Sequence, residues 1–236
     1  MSIFEIIYKK SRQIMKQLII LFSIIPFFIF SQEHFNYKKD FENILKETKS
    51  KKSEFYYDRL LERYNKIDTT LTNKQMLSLL IGFTDNKNYK PYKDIDFGRN
   101  LYKLNEDEKF DEVIKNGNEF LKTHPFDLKT LYETSYACHK KGDETYAENY
   151  LIKAMLIFKA MIYSGDGKSI DTPSFALNPS DGQELIRKGI GAKIEKMGSG
   201  QDKNGYFIDI LDARFEDNSP QTLYFIIPHA IKKMFE

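Results

Sequence analysis

The segment Ser164–Ser169 gathers the side chains of the sequence that most readily suggest chemistry. Asp166 offers a carboxylate, Lys168 an ammonium group and Ser169 a hydroxyl, so the three could bind a small polar ligand. Their Gly-Lys-Ser tripeptide also matches the end of a phosphate-binding loop. That motif needs a glycine where Ile162 stands, and a strand rather than a helix before it. We reject a phosphate loop and keep Asp166, Lys168 and Ser169 as candidate ligand-binding residues.

Residue types that bind metal ions are scattered along the chain. His34, His124, His139 and His229 lie far apart, and no two of them are separated by four residues, a spacing common in zinc sites. The polar run that begins at Asp85 lacks the glycine and the glutamate that a calcium loop needs at its sixth and twelfth positions. We therefore predict no metal site and no cofactor, and we expect the histidines to lie on the surface or in turns.

No arrangement of nucleophiles or carboxylates predicts catalysis. Cys138 is the only cysteine, so it has no intramolecular disulfide partner. Its neighbour His139 would point about 100° away on a helix, and we expect a buried structural thiol. Asp209 and Asp212 are three residues apart and therefore face opposite sides of a strand, which argues against a paired-carboxylate site. The chain is predicted to be non-catalytic, with an enzyme or small-ligand protein using Ser164–Ser169 as the alternative.

The N-terminal region has the composition of an export signal. Lys16 precedes the uncharged apolar run Leu18–Phe30, and Ser31 supplies a small residue for cleavage before Gln32. A run of this length is too short to cross about 30 Å of hydrocarbon. We predict that residues 1–31 are a leader and signal peptide, whether translation starts at Met1 or Met15, and that the mature chain is periplasmic or secreted.

Charge excludes two classes of partner. Residues 1–31 contain four basic side chains and one acidic side chain, so removing them changes the formal net charge from +2 to −1. A nearly neutral chain with both signs interspersed is not typical of a nucleic-acid-binding protein or of a protein that binds anionic membranes. We expect no stable membrane span after signal cleavage. A protein or peptide partner is compatible with this surface, and the oligomeric state is left open.

Helical periodicity dominates the first part of the mature chain. Apolar residues recur at helical spacing over about 37–49, 54–66 and 73–83, and Asn73 is placed to cap the third helix. These segments define a predicted N-terminal helical region, residues 32–93.

The next region, residues 94–163, carries the clearest internal order. Five residues follow one another at intervals of three, four, three and five: Phe110, Val113, Gly117, Phe120 and Pro125, with Gly117 where the repeat named below has a large residue. A second unit, beginning at Leu128, repeats the pattern in spacing and size. The spacing resembles the tetratricopeptide repeat, in which two antiparallel helices meet at small residues. We predict tetratricopeptide-like helical hairpins, with two unrelated helical hairpins as the alternative.

After residue 163 the pattern changes to short β-rich runs. Residues 164–236 are predicted to form a small antiparallel β-meander with short helices. The expected elements are a strand at Ser174–Leu177, a helix at 181–188 capped by Ser180, three longer strands within 192–227, and a final short helix. Asn204-Gly205 predicts a type I′ turn. Helices followed by strands predict the α+β class.

Several of these segments together resemble a known family. The leader ending in Phe-Ser-Gln, the helical middle, Ser164–Ser169 after the long helix and the late strand residues Leu223, Tyr224 and Phe225 carry the resemblance. They are similar to domain of unknown function 4919, a family of exported Bacteroidota proteins. The resemblance implies export and this architecture, and it implies no particular activity. The sequence favours an exported binding or scaffold module for a protein or peptide partner.

Overall fold

The computed structural model describes residues 35–235, so the predicted leader lies outside the described residues. The described chain forms nine α-helices, one π-helical segment and four strands. The helices are α1 (Tyr37–Lys49), α2 (Tyr57–Asn65), α3 (Asn73–Phe83), α4 (Ile95–Glu106), α5 (Phe110–Leu121), α6 (Leu128–Lys140), α7 (Glu144–Ser164), α8 (Asp181–Glu184) and α9 (Pro228–Met234). The strands are β1 (Ser174–Phe175), β2 (Lys193–Gln201), β3 (Phe207–Arg214) and β4 (Pro220–Ile226), and the π-helical segment is Leu185–Ile190. This composition confirms the α+β class.

The N-terminal helices pack on the long helix α7 through α3. Helix α3 is buried along almost its whole length and also contacts α1 and α2. The residue that caps α3 is Thr72, and the expectation of an Asn73 cap is wrong. The Thr72 hydroxyl accepts the Gln75 N–H at 3.1 Å, and the Gln75 side chain accepts the Thr72 N–H at 3.1 Å. This reciprocal capping box satisfies two N–H groups at once and outcompetes a cap one residue later.

Helices α4 to α7 form two successive hairpins. Phe97 lies near the start of α4 and Phe120 near the end of α5, and their ring centroids are 3.9 Å apart, so the two helices are antiparallel. In the second hairpin the Ser135 hydroxyl on α6 donates to the carbonyl of Ala147 on α7 at 2.8 Å. Between the hairpins, Gly117 on α5 lies against Thr134 on α6, so closely that an added Cβ would clash with the threonine hydroxyl. The tetratricopeptide motif has a large residue at this position, and the close approach of α5 and α6 explains why a glycine replaces it in this chain.

Three helical segments run side by side in the same direction. Gly98 and Asn105 on α4 meet Lys129 and Glu133 on α6, so α4 and α6 are parallel. The segment 181–190 also lies beside α6 and runs in the same direction. Its Glu184 faces Lys129, and its later residue Lys188 faces the later residue Tyr132. The C-terminal segment thus continues the row of helices begun by α4 and α6.

The sheet is mixed, so the prediction of a purely antiparallel meander is wrong in one strand. The order is β1-β4-β3-β2; β2, β3 and β4 are antiparallel neighbours, whereas β1 runs parallel to β4. The parallel pair joins Ser174 to Phe225 and Phe175 to Ile226. A parallel partner needs a crossover connection, and here the chain passes through α8 and two strands before it returns as β4. Strand β1 is also shorter than predicted, two residues instead of four.

Two local predictions in this region are also wrong. In the β2–β3 turn only Gly205 has a positive φ, of 79°, so the turn is not type I′, which requires two such residues. The Asp202 carboxylate accepts the N–H groups of Asn204 and Tyr206 at 2.8 Å and sets the alternative conformation. Ser180 makes no side-chain cap, and its helix continues as a π-helical segment after one turn.

One main apolar core joins these elements. It includes Phe41 of α1, Phe126 before α6, Phe158 of α7 and Phe225 of β4. Residues from Phe35 onward form one compact unit. The boundaries predicted at residues 93 and 163 within this unit stay predictions.

Candidate functional site

The loop that follows α7 brings the three predicted ligand-binding residues together but bonds them to itself. The Asp166 carboxylate accepts the Lys168 N–H at 3.0 Å and the Thr172 hydroxyl at 2.6 Å. The Ser169 hydroxyl lies 2.9 Å from that of Thr172. The side chains of Asp166, Lys168 and Ser169 are exposed. These contacts account for the shape of the loop, and binding of a small ligand by Asp166, Lys168 and Ser169 stays a prediction.

The same loop is fixed to the sheet by backbone contacts. Gly167, whose φ is +67°, accepts a hydrogen bond from the Tyr224 N–H at 2.8 Å. The Ser164 hydroxyl accepts the Phe175 N–H at 2.7 Å, and the Ser174 hydroxyl donates to the Gly165 carbonyl at 2.7 Å. The loop therefore joins the end of α7 to β1 and β4.

Within residues 35–235, neither the single cysteine nor a cluster of metal-binding side chains forms a reactive centre. Cys138 is buried, as predicted, and burial raises the pKa of its thiol to about 11. A thiol with a raised pKa is a poor nucleophile at neutral pH because the thiolate is the reactive form. Among residues 35–235, no group of three or more His, Cys, Asp or Glu side chains could hold a metal ion.

Helix α6 separates two kinds of side chain. The residues that face α5 and α7 are small or apolar and buried, and they include Thr134, Ser135 and Cys138. A different stripe, with members three or four residues apart, consists of Lys129, Tyr132, Glu133, Tyr136 and Lys140. This spacing places the stripe on one side of a helix.

Three lysine–tyrosine pairs occupy this stripe and the two helical segments beside it. The Lys129 Nζ atom lies 4.9 Å from the ring centroid of Tyr102 on α4. The Lys140 Nζ atom lies 5.4 Å from the Tyr136 ring, and Lys188, from the π-helical segment, reaches to 5.9 Å from the Tyr132 ring. Ammonium groups at such distances are attracted by the negative face of an aromatic ring. We call these six residues the tyrosine–lysine face; they are Tyr102, Lys129, Tyr132, Tyr136, Lys140 and Lys188.

The outer part of this face is open to solvent. Tyr102 is 46 % exposed and Tyr136 is 37 % exposed. Lys140 and Lys188 are exposed, and neither forms an ion pair with another described residue. The Tyr102 hydroxyl bonds to the exposed Glu106, and this contact raises the pKa of the tyrosine. Aromatic rings and charged groups are therefore displayed together on one surface.

A buried polar layer supports the face from below. Lys129 lies 2.9 Å from the Glu133 carboxylate and 3.9 Å from that of Glu184. The Asn105 amide donates to Glu133 at 2.8 Å. Burial raises the pKa of the Glu184 carboxyl, and the positive charges of Lys129, Lys188 and Arg187 oppose the rise. The layer ties α4, α6 and α8 together and so fixes the position of the exposed rings.

A second group of aromatic residues surrounds His229 in the interior. The imidazole stacks on the ring of Phe175 with centroids 4.6 Å apart, and the rings of Phe41, Tyr37 and Tyr89 lie 5.6, 5.9 and 6.2 Å away. We call these five residues the aromatic–histidine cluster. The prediction that all histidines lie on the surface or in turns is wrong for His229, which is only 6 % exposed. Its burial is set by α1 and β1, elements far from it in sequence.

Hydrogen bonding fixes the tautomer of the His229 imidazole. Its Nε2 atom lies 3.0 Å from the Ala176 carbonyl and 3.3 Å from that of Leu177. Carbonyl oxygens only accept hydrogen bonds, so Nε2 carries the proton. Burial lowers the pKa of His229 to about 3, and the two carbonyls oppose this shift. The imidazole is therefore neutral at physiological pH.

A buried carboxyl lies close to this cluster. Asp181 is 1 % exposed, and its carboxylate accepts the Asn178 N–H at 2.8 Å. Burial raises the pKa of Asp181 well above its ordinary value, and the negative charges of Asp127 and Glu184 raise it further. Protonation of Asp181 is therefore coupled to folding, so this carboxyl makes the stability of the folded state depend on pH.

The family model described as Domain of unknown function (DUF4919) matches residues 42–235. The chain belongs to the DUF4919 family. The expected family is thereby confirmed. Comparisons with curated proteins and with solved structures find no significant match. No helix in the described part of this DUF4919 chain is long and apolar enough to cross a membrane.

This DUF4919 member displays aromatic and charged side chains together on one surface. The tyrosine–lysine face offers exposed aromatic area and ammonium groups on a rigid support; aromatic residues are enriched at protein interfaces, whereas lysine is depleted there. Many of the buried polar groups bond to one another or to the backbone, but five buried atoms have no hydrogen-bond partner among the described residues: Asn105 Oδ1, Thr130 Oγ1, Thr134 Oγ1, Glu184 Oε2 and His229 Nδ1. None of them lies beside an activated nucleophile within the described residues.

The tyrosine–lysine face was not predicted from the sequence. Part of the signal was present, because Tyr132, Tyr136 and Lys140 follow each other at intervals of four residues in a segment already predicted as helix. The pairing of Tyr132 with Lys188 joins residues 56 positions apart, and periodicity carries no information about it.

Proposed function

We propose that this chain is an exported, non-catalytic binding module that engages a protein or peptide partner through the tyrosine–lysine face. The observation that carries the proposal is the contrast on α6 between a buried packing side and a side that exposes Tyr136 and Lys140 to solvent, with Lys129 and Tyr132 partly exposed beside them. Tyrosine is enriched at protein interfaces because its ring supplies large contact area with few rotatable bonds.

The helical arrangement supports this proposal. The two hairpins α4–α5 and α6–α7 place α4 parallel to α6, and the segment 181–190 adds a third parallel helical row beside α6. We interpret the hairpins as tetratricopeptide-like units. Stacked units of this kind build extended surfaces from the same helix of each unit, and here those helices are α4, α6 and 181–190.

Export is part of the proposal and has its own test. Cells that produce the full chain and cells that produce a chain without residues 1–31 would be fractionated. We expect the full chain in the periplasm or medium, shortened at its N-terminus, and the truncated chain in the cytoplasm. A full chain that stays in the cytoplasm at its full mass would contradict export.

Partner binding can be tested by affinity capture from an envelope fraction. The bait proteins would be the mature chain, a Tyr102→Ala/Tyr136→Ala variant and a Tyr146→Ala control. Tyr146 is a matched control because it is 58 % exposed but belongs to α7. We expect the first and third baits to capture the same protein and the double variant to lose it. Equal capture by all three baits, or no capture by any, would contradict the proposed surface.

A further inference from the structure

We propose that the tyrosine–lysine face takes an acidic polypeptide segment, in which carboxylates alternate with apolar side chains. The inference rests on the proposed function and names the chemistry of the partner. Its basis is the distribution of charge on the face, the position of the aromatic rings and the spacing along α6.

Three exposed cations that form no ion pair belong to the face or adjoin it. Lys140, Lys188 and Arg187 are exposed and form no ion pair within the described residues, whereas Glu106 is the exposed acid bonded to Tyr102. A partner segment with negative charge would complement these three cations. Complementary charge speeds association and excludes wrong partners.

The acidic groups of this region lie beneath the surface. Glu133 and Glu184 are 6 % and 4 % exposed, and Lys129 lies between their carboxylates. The charges of Lys188 and Arg187 also act on Glu184, although neither residue forms an ion pair with it. The outer ammonium groups of Lys140 and Lys188 are left to face solvent.

The tyrosine rings prepare the lysines for a carboxylate. Each outer ammonium group lies over a ring face, at 5.4 Å for Lys140 and 5.9 Å for Lys188. A lysine held in this way has less side-chain freedom to lose when it meets an anion, so binding costs less entropy. The exposed rings of Tyr102 and Tyr136 supply apolar area for the side chains between the carboxylates.

Spacing along α6 suggests the pattern of the partner. Tyr132 and Tyr136, which carry the two outer lysines, are four residues apart, which is about 6 Å along a helix. In an extended chain, side chains two residues apart lie about 7 Å apart on the same side. Alternate side chains of an extended partner would therefore repeat at nearly the interval of Tyr132 and Tyr136.

The inference is tested with three fluorescein-labelled peptides of about twelve residues, a length that spans α6 when extended. They share alternating leucines and differ only in the other positions, which are all glutamate, all glutamine or all lysine. Fluorescence anisotropy with the mature chain should show the glutamate peptide binding at least about tenfold more tightly than the glutamine peptide, with no binding of the lysine peptide. Its affinity should fall severalfold between about 0.05 and 0.3 M salt.

Variants locate the effect on the molecule. Lys140→Glu/Lys188→Glu should weaken the glutamate peptide by about tenfold. Lys52→Glu is the matched control, because Lys52 is exposed in the α1–α2 connection, and it should change the affinity by less than about twofold. A single-stranded oligonucleotide of equal charge should bind more weakly than the glutamate peptide.

Each other outcome overturns the inference in a defined way. Equal binding of the glutamate and glutamine peptides would remove the acidic requirement and leave the binding module in place. Equal binding of the oligonucleotide would show general attraction of polyanions. If none of the three peptides bound while an envelope protein was still captured through Tyr102 and Tyr136, the acidic partner would be wrong and the proposed function would stand. If no peptide bound and no envelope protein was captured, both the acidic partner and the proposed function would be wrong.

Discussion

The tyrosine–lysine face and the aromatic–histidine cluster both combine aromatic rings with nitrogen bases, but their environments are opposite. On the face, Lys140 and Lys188 lie over rings that remain in contact with water. In the cluster, His229 is stacked between buried rings and is 6 % exposed. Solvation favours a charged base, and desolvation favours a neutral one.

Because of this difference, we expect the face to contribute to binding and the cluster to contribute to the stability of the fold. The charge of an exposed lysine is available to a partner and contributes little to folding. The neutral imidazole of His229 is available to no partner, and it joins α9 to the residues that follow β1 through its carbonyl contacts. We therefore expect substitutions in the cluster to change the free energy of unfolding and substitutions on the face to change affinity.

The largest expected effect is that of His229→Ala. The change removes a fully packed ring and its hydrogen bond, and it leaves a cavity among four aromatic side chains. We expect the free energy of unfolding to fall by about 3 kcal/mol in urea denaturation. Tyr136→Ala on the face should cost about 1 kcal/mol or less. Equal losses in the two variants would abolish the distinction between the regions.

The pH dependence of stability should depend on His229 in a specific direction. Its pKa falls from 6.5 in the unfolded chain to about 3 in the folded chain. Between these values the folded state binds fewer protons than the unfolded state, so the free energy of unfolding falls as the pH is lowered through this window. At about 1.4 kcal/mol for each unit, the loss between pH 6.5 and pH 4 reaches about 3 kcal/mol.

The measurement compares urea denaturation of the wild-type protein and His229→Gln from pH 7 to pH 4. Glutamine keeps a donor for the carbonyl oxygens and does not titrate, so the wild-type protein should lose stability relative to the variant as the pH falls. A difference between the two proteins that is independent of pH would mean that His229 is accessible to protons in the folded state.

Asp181 should produce the opposite dependence. Because burial raises its pKa in the folded state, the folded protein binds more protons than the unfolded chain above pH 4, and stability falls as the pH rises through the folded pKa. The slope is at most about 1.4 kcal/mol for each pH unit. Asp181→Asn should remove this loss, whereas Asp96→Asn, at an exposed position on α4, should leave it unchanged. Parallel curves for the wild-type protein and Asp181→Asn would contradict the assignment.

The smallest expected change in stability belongs to Lys140→Ala and Lys188→Ala. Each removes an exposed ammonium group without opening a cavity, so the free energy of unfolding should change by about 0.5 kcal/mol or less. Affinity for the glutamate peptide should nevertheless fall about two- to fivefold for each variant. Destabilisation by more than about 1 kcal/mol would show that these lysines hold α6 and the π-helical segment together.

Local patterns predicted the helices well, because their information lies within a few residues. Apolar spacing placed α1 and α3, whereas Gly117, which stands where the repeat motif has a large residue, is explained only by its contact with Thr134. The turns were harder to predict. Thr72 rather than Asn73 caps α3, and Asp202 selects a different turn from the one that Asn204-Gly205 favours, because side-chain contacts one to four residues away decide each case.

The candidate sites also combine features that follow from nearby residues with features that only tertiary contacts determine. Asp166, Lys168 and Ser169 are close in sequence and do share one loop, but the bonds within that loop depend on Thr172 and on its attachment to β4. The tyrosine–lysine face needs α4, α6 and residue 188 to be adjacent, and the sequence contains only the α6 part of this pattern.

The sequence by itself determined the helical segments, the α+β class and the lack of an obvious catalytic motif, since each depends on residue types at short spacing. Tertiary structure decided that β1 pairs in parallel with β4, that His229 is enclosed and neutral, and that Lys188 joins Tyr132. The physical reason is that strand pairing, desolvation and charge complementarity act between residues close in space, whatever their separation along the chain.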